Sequence, residues 1–162
     1  SNRQAYSSTF LDTIKSAPVI EGENVYAVGN ANVLTAIDLR SGSRKWEKEI
    51  GSVNTPLVVG NTLYVVANTN DLLAINKENG DVLWATPIDL GKKSAETTIF
   101  NPLMLDGRLV VALSNGTVLL YMPQTGKLLN SVDLGENLNS APIVANEYVF
   151  FVTADADIIA YK

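Results

Sequence analysis

The stretch "LRSGSRKWEKEIGSVNTP" covers Leu39–Pro56, and "NKENGDVLWATPIDLG" at 76–91 repeats its outline of a polar turn, a glycine, three residues and a tryptophan. The two copies lie 38 residues apart, measured from glycine to glycine. A single copy would indicate only a turn followed by a core aromatic residue. Because the pattern recurs at a fixed spacing, it indicates a repeat architecture in which each repeat is one supersecondary unit.

Prolines mark four copies of the unit, at spacings of 38, 46 and 40 residues: Pro18, Pro56, Pro102 and Pro142. Sixteen residues after the successive prolines begin the apolar segments "LTAI", "LLAI", "VLLY" and "IIAY". Glycines stand twenty-four residues after the first three prolines, and two tryptophans and an asparagine follow four residues later: Gly42, Gly80, Gly126, Trp46, Trp84 and Asn130. This common register predicts the same local structure in each unit.

Each unit is predicted to consist of strands, because its apolar runs are short, rich in Val, Ile, Leu and Tyr, and separated by Gly, Asn and Asp. Strand A follows the proline, a turn leads to strand B, a hairpin such as Asn115-Gly116 leads to strand C, and a turn with a glycine at positive φ leads to strand D. Four antiparallel strands in about 40 residues form one blade of a β-propeller. We therefore predict an all-β fold of about four blades, a single partial propeller domain over 1–162 with repeats at about 16–53, 54–99, 100–139 and 140–162.

Composition excludes several classes of function. Twelve Lys and Arg against 17 Asp and Glu give a net charge of −5, and no basic run is present, so nucleic acid is not an expected partner. No apolar stretch is long enough to cross a bilayer, and no signal peptide is visible. The chain has no Cys, which excludes thiolate catalysis and Cys-ligated metal, and no His, which excludes a Ser/His/Asp triad.

Paired carboxylates are the remaining candidates for chemistry, at Glu21/Glu23, Glu47/Glu49 and Asp155/Asp157. Side chains at i and i+2 of a strand point to one face, an arrangement that could suit a cation. Such a pair more often belongs to a solvated face or to a turn. We therefore predict no catalytic, cofactor-binding or metal-binding residue and no cofactor.

The unit "LTAIDLRSGSRKW" and its echo "LLAINKENGDVLW" resemble the quinoprotein-type (PQQ-like) propeller repeat, in which the tryptophan of strand D packs between neighbouring blades. More narrowly, "LTAIDLRSGSRKWEKEIGSVN", "GNTLYVVANTNDLLAI" and "SAPIVANEYVFFVTADADIIAYK" resemble the C-terminal half of the BamB family, from about Leu11 to Lys162. That family comprises eight-bladed propeller lipoproteins of the bacterial outer-membrane barrel-assembly machinery. The resemblance implies a non-catalytic periplasmic scaffold at the outer membrane, attached to the membrane only through a lipid anchor outside this chain.

Antiparallel blades place the B–C hairpins and the D-to-A connections on one side of the array, here called the connection face, and the A–B and C–D turns on the other, here called the turn face. The connection from Trp84 to Pro102 is eighteen residues long, against ten and twelve for the others. Insertions on one face of a repeat protein commonly mark its binding side, although tolerated loop variation is the alternative. The predicted partner-binding residues lie in or before these connections: Asp12, Lys15, Lys92, Lys93 and Phe100.

Family resemblance implies that this face docks on the periplasmic domains of the barrel-forming subunit, with acidic residues ahead of the first blade taking part. Asp12 lies near the expected place, but Ile14 and Lys15 do not reproduce an acidic pair.

Two alternative functions remain open. One is a fragment of a quinone-dependent dehydrogenase. Resemblance to these enzymes implies a vicinal Cys pair, a Ca²⁺ site and an Asp base. The other is a propeller that senses a ligand.

The ends of the repeat array predict self-association. Adding 24 to Pro142 gives a position beyond Lys162, so the fourth unit is expected to contain strands A, B and C only. Residues 6–14 are expected to form strand D of a preceding or closing blade. Blades set for an eight-fold ring cannot close as four, so we expect two chains to exchange residues 6–14 and form one ring.

Overall fold

Antiparallel strands make up nearly all of the regular structure in the computed structural model, which describes residues 16–29, 32–91, 94–146 and 148–161. The strands form four separate sheets, here called blades 1 to 4 in chain order. The prediction of an all-β fold with about four blades is confirmed. Within the described ranges, helical structure is limited to a 3₁₀ turn at Ser94–Glu96, so no helix there is long and apolar enough to cross a membrane.

Each blade is a meander whose strands pair in chain order. Blade 1 contains β1 (Val19–Glu21), β2 (Asn24–Gly29), β3 (Val33–Asp38) and β4 (Arg44–Lys48). Blade 2 contains β5 (Leu57–Val59), β6 (Thr62–Val66), β7 (Asp71–Asn76) and β8 (Val82–Pro87). Blade 3 contains β9 (Leu103–Leu105), β10 (Arg108–Ala112), β11 (Thr117–Tyr121) and β12 (Leu128–Asp133). Blade 4 contains β13 (Ile143–Ala145), β14 (Tyr148–Val152) and β15 (Ile158–Tyr161).

A β-bulge recurs at the same place in the first three blades, where the third strand meets the fourth. In blade 1, Ala36 is opposite Trp46 while Ile37 is opposite Arg44, so the fourth strand carries one extra residue. The register shifts at the equivalent positions of blades 2 and 3. A bulge increases the local twist of the strand that carries it. The first three repeats therefore share this irregularity at equivalent residues.

The core lies between adjacent blades. Tyr26 and Leu34 of blade 1 pack with Leu63 and Ile75 of blade 2, and all four side chains are fully buried. Similar clusters fill the spaces between blades 2 and 3 and between blades 3 and 4. The second and third strands of a blade with a neighbour on both sides bury both of their faces. This explains why their segments are continuous apolar runs rather than alternating ones.

Tryptophan side chains join the first three blades. Trp46 Nε1 donates a hydrogen bond of 2.9 Å to the carbonyl of Lys77 in blade 2, and Trp84 Nε1 donates one of 2.9 Å to the carbonyl of Pro123 in blade 3. Burial of an indole against a neighbouring blade removes a large apolar area from water while its N–H keeps a partner. The corresponding residue of blade 3, Asn130, is exposed.

Candidate protein-binding face

Hydrogen bonds tie the connection face together. The Ser52 amide donates to the Gly29 carbonyl of blade 1 at 3.2 Å, and the Asn68 amide of blade 2 donates to the Gly51 carbonyl at 2.9 Å. The Ser52 hydroxyl, which is fully buried, donates to the Val66 carbonyl at 2.6 Å. The first connection is thus held by the blades on both sides of it. It presents its outer surface in a fixed conformation.

The long connection between blades 2 and 3 is also held down. Ile88 and Leu90 are buried in the cluster between blades 2 and 3, and Ile99 forms a β-bridge with Leu113. The Asn115 side chain donates to the Leu90 carbonyl at 3.4 Å. Much of the extra length therefore packs against the blades, whereas Gly91, Ala95, Glu96 and Thr98 are exposed.

Most of the predicted partner-binding residues lie outside the described ranges. Asp12, Lys15, Lys92 and Lys93 belong to this group. Phe100 is the one residue of this set that the structure describes. It is half-buried against the cluster between blades 3 and 4, and its amide donates to the Ala112 carbonyl at 3.0 Å. Phe100 therefore contributes to packing, because the connection extends the edge of blade 3 at this point.

A groove opens on the connection face where the hairpins of blades 1 and 2 meet the connection between them, and it is here called the inter-blade groove. Its volume is about 690 Å³. It is lined by Asn32, Val33, Glu47, Lys48, Glu49, Ile50, Gly51, Ala67, Asn68, Thr69 and Leu73. Sequence reasoning missed this site, because its residues come from two repeats and from the linking segment, and no spacing in the chain relates them.

Ion pairs occupy three of the six paired carboxylates considered as candidates for chemistry. Glu21 contacts Lys77 Nζ at 2.9 Å, Glu23 contacts Arg40 at 3.1 Å, and Glu47 contacts Arg44. The hydrogen bond that Lys77 donates to Glu21 raises the pKa of Lys77, so the ammonium group stays protonated at neutral pH. Each of these three carboxylates is paired with a basic side chain, so they do not form a free acid and base facing one another.

The hairpin of blade 4 holds the last carboxylate pair in a turn. The amide of Asp157 donates to Thr153 Oγ1 at 3.1 Å, and the Thr153 amide donates to the Asp157 carbonyl at 2.9 Å. Ala156 between them has a φ of 67°. Among the described residues, no group of three or more acidic side chains is placed to hold a metal ion.

The tyrosines on the inner strands of the first three blades, Tyr26, Tyr64 and Tyr121, are buried. Tyr121 is 1% exposed between blades 2 and 3, and burial raises its pKa to about 12. Burial also raises the pKa of Tyr64. A phenol with a raised pKa remains protonated at neutral pH, so these side chains act in packing, and the Tyr64 hydroxyl also donates to the Pro123 carbonyl at 3.3 Å.

Comparison with known proteins identifies relatives over nearly the whole chain. The family model described as "Outer membrane protein assembly factor BamB" matches residues 1–86 and 88–162. The BamB protein of Yersinia pestis is 32% identical over 153 residues, which is 93% of this chain and 37% of that protein. The chain therefore spans well under half the length of this relative.

Solved structures show the same fold. The crystal structure of BamB from Moraxella catarrhalis superposes with a TM-score of 0.75 at 18% identity, covering 91% of this chain and 49% of that one. Quinohemoprotein alcohol dehydrogenase from Comamonas testosteroni gives a TM-score of 0.61 at 20% identity, over 74% of this chain and 21% of that one. At these identities the structures establish the propeller fold alone. The family match over almost every residue shows that this chain belongs to the BamB family.

Proposed function

We propose that this chain is part of a non-catalytic scaffold that binds protein partners during outer-membrane protein assembly, at the periplasmic face of the bacterial outer membrane. The observation that carries the proposal is the match to BamB proteins over 93% of the chain. The partner we propose is the set of periplasmic domains of the barrel-forming subunit, bound through the connection face. In the full-length protein, a lipid anchor outside this chain would hold the scaffold at the membrane.

The shape of the connection face supports this role. Its connections are hydrogen-bonded to the hairpins on either side, so the surface is organised before a partner arrives. A preorganised surface loses less conformational entropy on binding than a flexible one. The groove between blades 1 and 2 and the exposed part of the long connection give this face a distinct surface shape that a partner can recognise.

A capture experiment tests the proposal. The 162-residue chain is immobilised, and purified periplasmic domains of the barrel-forming subunit are passed over it. Reversing the charges of Lys92 and Lys93 to Glu should reduce capture at least about threefold, because both lie in the long connection. Lys127→Glu is the matched control, since Lys127 is an exposed lysine at the C–D turn of blade 3 on the turn face.

Equal capture by the wild type and the double variant would remove the long connection from the proposal, and no capture by the wild type would overturn the proposed function. Melting temperatures of all variants are measured alongside, since surface charge changes rarely alter stability by more than about 0.5 kcal/mol. Phe100→Ala is not a suitable probe of binding, because loss of its packing would also lower stability.

A quinone-dependent dehydrogenase is the second candidate, and the shared fold with quinohemoprotein alcohol dehydrogenase is the observation that favours it. The test is to supply pyrroloquinoline quinone and Ca²⁺ to the full-length protein and to follow alcohol oxidation. We expect no turnover above the rate without protein. Turnover that depends on the quinone would replace the scaffold proposal with this one.

A further inference from the structure

The floor of the inter-blade groove is apolar, whereas its rim is polar. Val33, Ala67, Leu73 and Ile50 form the apolar part of the lining. Asn32, Asn68 and Thr69 stand at the rim, and all three residues are exposed. A surface of this kind suits a long side chain that is aliphatic along its stem and polar at its tip.

Among the described residues, one unpaired carboxylate lies on a wall of the groove. Glu47 and Glu49 both line this wall and are exposed, and Glu47 is ion-paired with Arg44. Lys48 lies between them in sequence, but its ammonium group contacts Asp81 of blade 2 at 3.1 Å, which neutralises it locally. Within the part of the chain that the structure describes, Glu49 has no ion-pair partner. A cation entering the groove would therefore meet one carboxylate that is free to bind it.

Backbone hydrogen bonds fix the wall that carries these groups. The segment that follows Glu49 is bonded to blade 1 through Ser52 and to blade 2 through Gly51. A Cβ atom at Gly51 would overlap the Asn32 side-chain oxygen and lie 2.7 Å from Asn68 Nδ2. Gly51 thus lets the two asparagine side chains lie close against the connection. Any larger residue at position 51 would displace these asparagine side chains from the rim.

We infer that the inter-blade groove receives an arginine side chain from a protein partner. The aliphatic stem would lie on the apolar floor, and the guanidinium group would reach Glu49 and the amide oxygens of the rim. Arginine suits this lining because its planar group offers five N–H donors and is less strongly hydrated than an ammonium group. This inference rests on the proposed function, because it takes the occupant to be a partner that docks on the connection face.

Binding of a small probe tests the chemistry directly. N-acetyl-arginine methylamide is titrated into the isotope-labelled 162-residue chain and followed by NMR, with the citrulline analogue as a neutral control of nearly the same shape. We expect the arginine probe to shift resonances of the groove residues with a millimolar dissociation constant. The citrulline probe should bind at least about threefold more weakly, as the loss of one exposed charge pair would produce.

Two variants separate the groove from general attraction to an acidic protein. Glu49→Gln should weaken binding of the arginine probe at least about threefold. Glu78→Gln removes the same charge from an exposed position on the turn face and should leave binding unchanged. Equal binding of the two probes, equal effects of the two variants, or shifts centred outside the groove would each overturn the inference. Binding of the lysine analogue as tight as that of arginine would overturn its assignment to a guanidinium group.

Capture of the barrel-forming subunit's periplasmic domains distinguishes this inference from the proposed function. If Glu49→Gln reduces capture while Glu78→Gln does not, the groove is a contact for that partner. If the wild-type chain captures the domains but the arginine probe does not bind, the groove inference fails and the proposed function stands. If the probe binds and the domains are not captured, the proposed function fails and the groove remains a guanidinium site for another partner.

Discussion

Three glycines occupy equivalent turns between the third and fourth strands but have different surroundings. Their φ angles are 70° at Gly42, 75° at Gly80 and 69° at Gly126. A Cβ atom at Gly80 would lie 2.7 Å from Cε3 of Trp46, and one at Gly126 would lie 2.5 Å from Cε3 of Trp84. At Gly42, nothing lies within 4 Å of that position. Backbone conformation favours glycine at all three sites, and a neighbouring indole makes a second demand at two of them.

Alanine substitutions separate these two demands. Gly42→Ala should cost about 1 kcal/mol of unfolding free energy, the strain of a left-handed backbone conformation on a residue with a Cβ atom. Gly80→Ala and Gly126→Ala should each cost a further 1 to 3 kcal/mol, roughly, because the new methyl group displaces an indole from its packed position. Chemical denaturation of the three variants measures the differences. Equal losses in all three would show that the indole contact adds nothing to the backbone effect.

Part of this residue-level picture follows from the sequence. The glycine at the same place in three repeats predicts a turn with positive φ, because glycine adopts that conformation without strain. The contact between each indole and the glycine of the next blade was not predicted. It joins residues of different repeats, and only the three-dimensional arrangement of two blades brings them together.

At the scale of the blade interface, two tryptophans donate equivalent hydrogen bonds to backbone carbonyls that differ in how many other donors they have. The Pro123 carbonyl accepts a hydrogen bond from Trp84 Nε1 and a second, of 3.3 Å, from the Tyr64 hydroxyl. The Lys77 carbonyl accepts one from Trp46 Nε1 at 2.9 Å. In the described residues, it has no second side-chain donor. The interface between blades 1 and 2 depends more on the indole N–H than the interface between blades 2 and 3.

Phenylalanine substitutions measure that dependence. Trp46→Phe should lower the unfolding free energy by about 1 kcal/mol more than Trp84→Phe, because a carbonyl that loses its only donor costs more than one that keeps another. The loss of indole area is similar in both variants and cancels in the comparison. Tyr64→Phe combined with Trp84→Phe is the control, and in that background the cost of losing Trp84 should rise toward that of losing Trp46. Costs that do not differ would contradict this account.

The strands were easier to predict than the connections between them. Short apolar runs separated by turn residues indicate strands wherever they occur. The long connection was predicted to mark a binding side, whereas its residues Ile88, Leu90 and Ile99 are buried and Phe100 is half-buried. Its burial depends on the shape of the adjacent blades, and a loop carries no periodicity from which that could be predicted. For the same reason, the inter-blade groove appears only once the blades are placed side by side.

At the scale of the whole molecule, the two ends of the blade array expose surface that is buried between blades elsewhere. Ile143 and Ile158 of blade 4 are 62% and 70% exposed. The residue of blade 2 that is equivalent to Ile158 is Leu72, which is fully buried against blade 3. At the other end, Ile20 of blade 1 is 61% exposed. Apolar residues exposed at both ends favour association of the ends with another blade of the same kind.

A second copy of the chain can supply that blade, and we predict that the 162-residue chain forms a dimer. Two copies arranged around a two-fold axis would place blade 4 of each against blade 1 of the other, which buries both exposed ends at once and leaves none free. The exchange of residues 6–14 that the sequence predicts would complete the edge of each blade 4. Those residues lie outside the described ranges, so the exchange stays a prediction.

Light scattering at micromolar concentration measures the mass of the purified chain, which should be twice 17.4 kDa. Ile158→Glu should shift the chain toward the monomer, because it places a charge in the surface that the dimer would bury. Leu83→Glu is the matched control, since Leu83 is 55% exposed on the outer strand of blade 2, away from both ends of the array, and this change should leave the dimer intact. Deletion of residues 1–14 should produce aggregation, because an uncovered strand edge pairs with other chains. A stable monomer of the unmodified chain, or equal effects of the two glutamate variants, would refute the dimer.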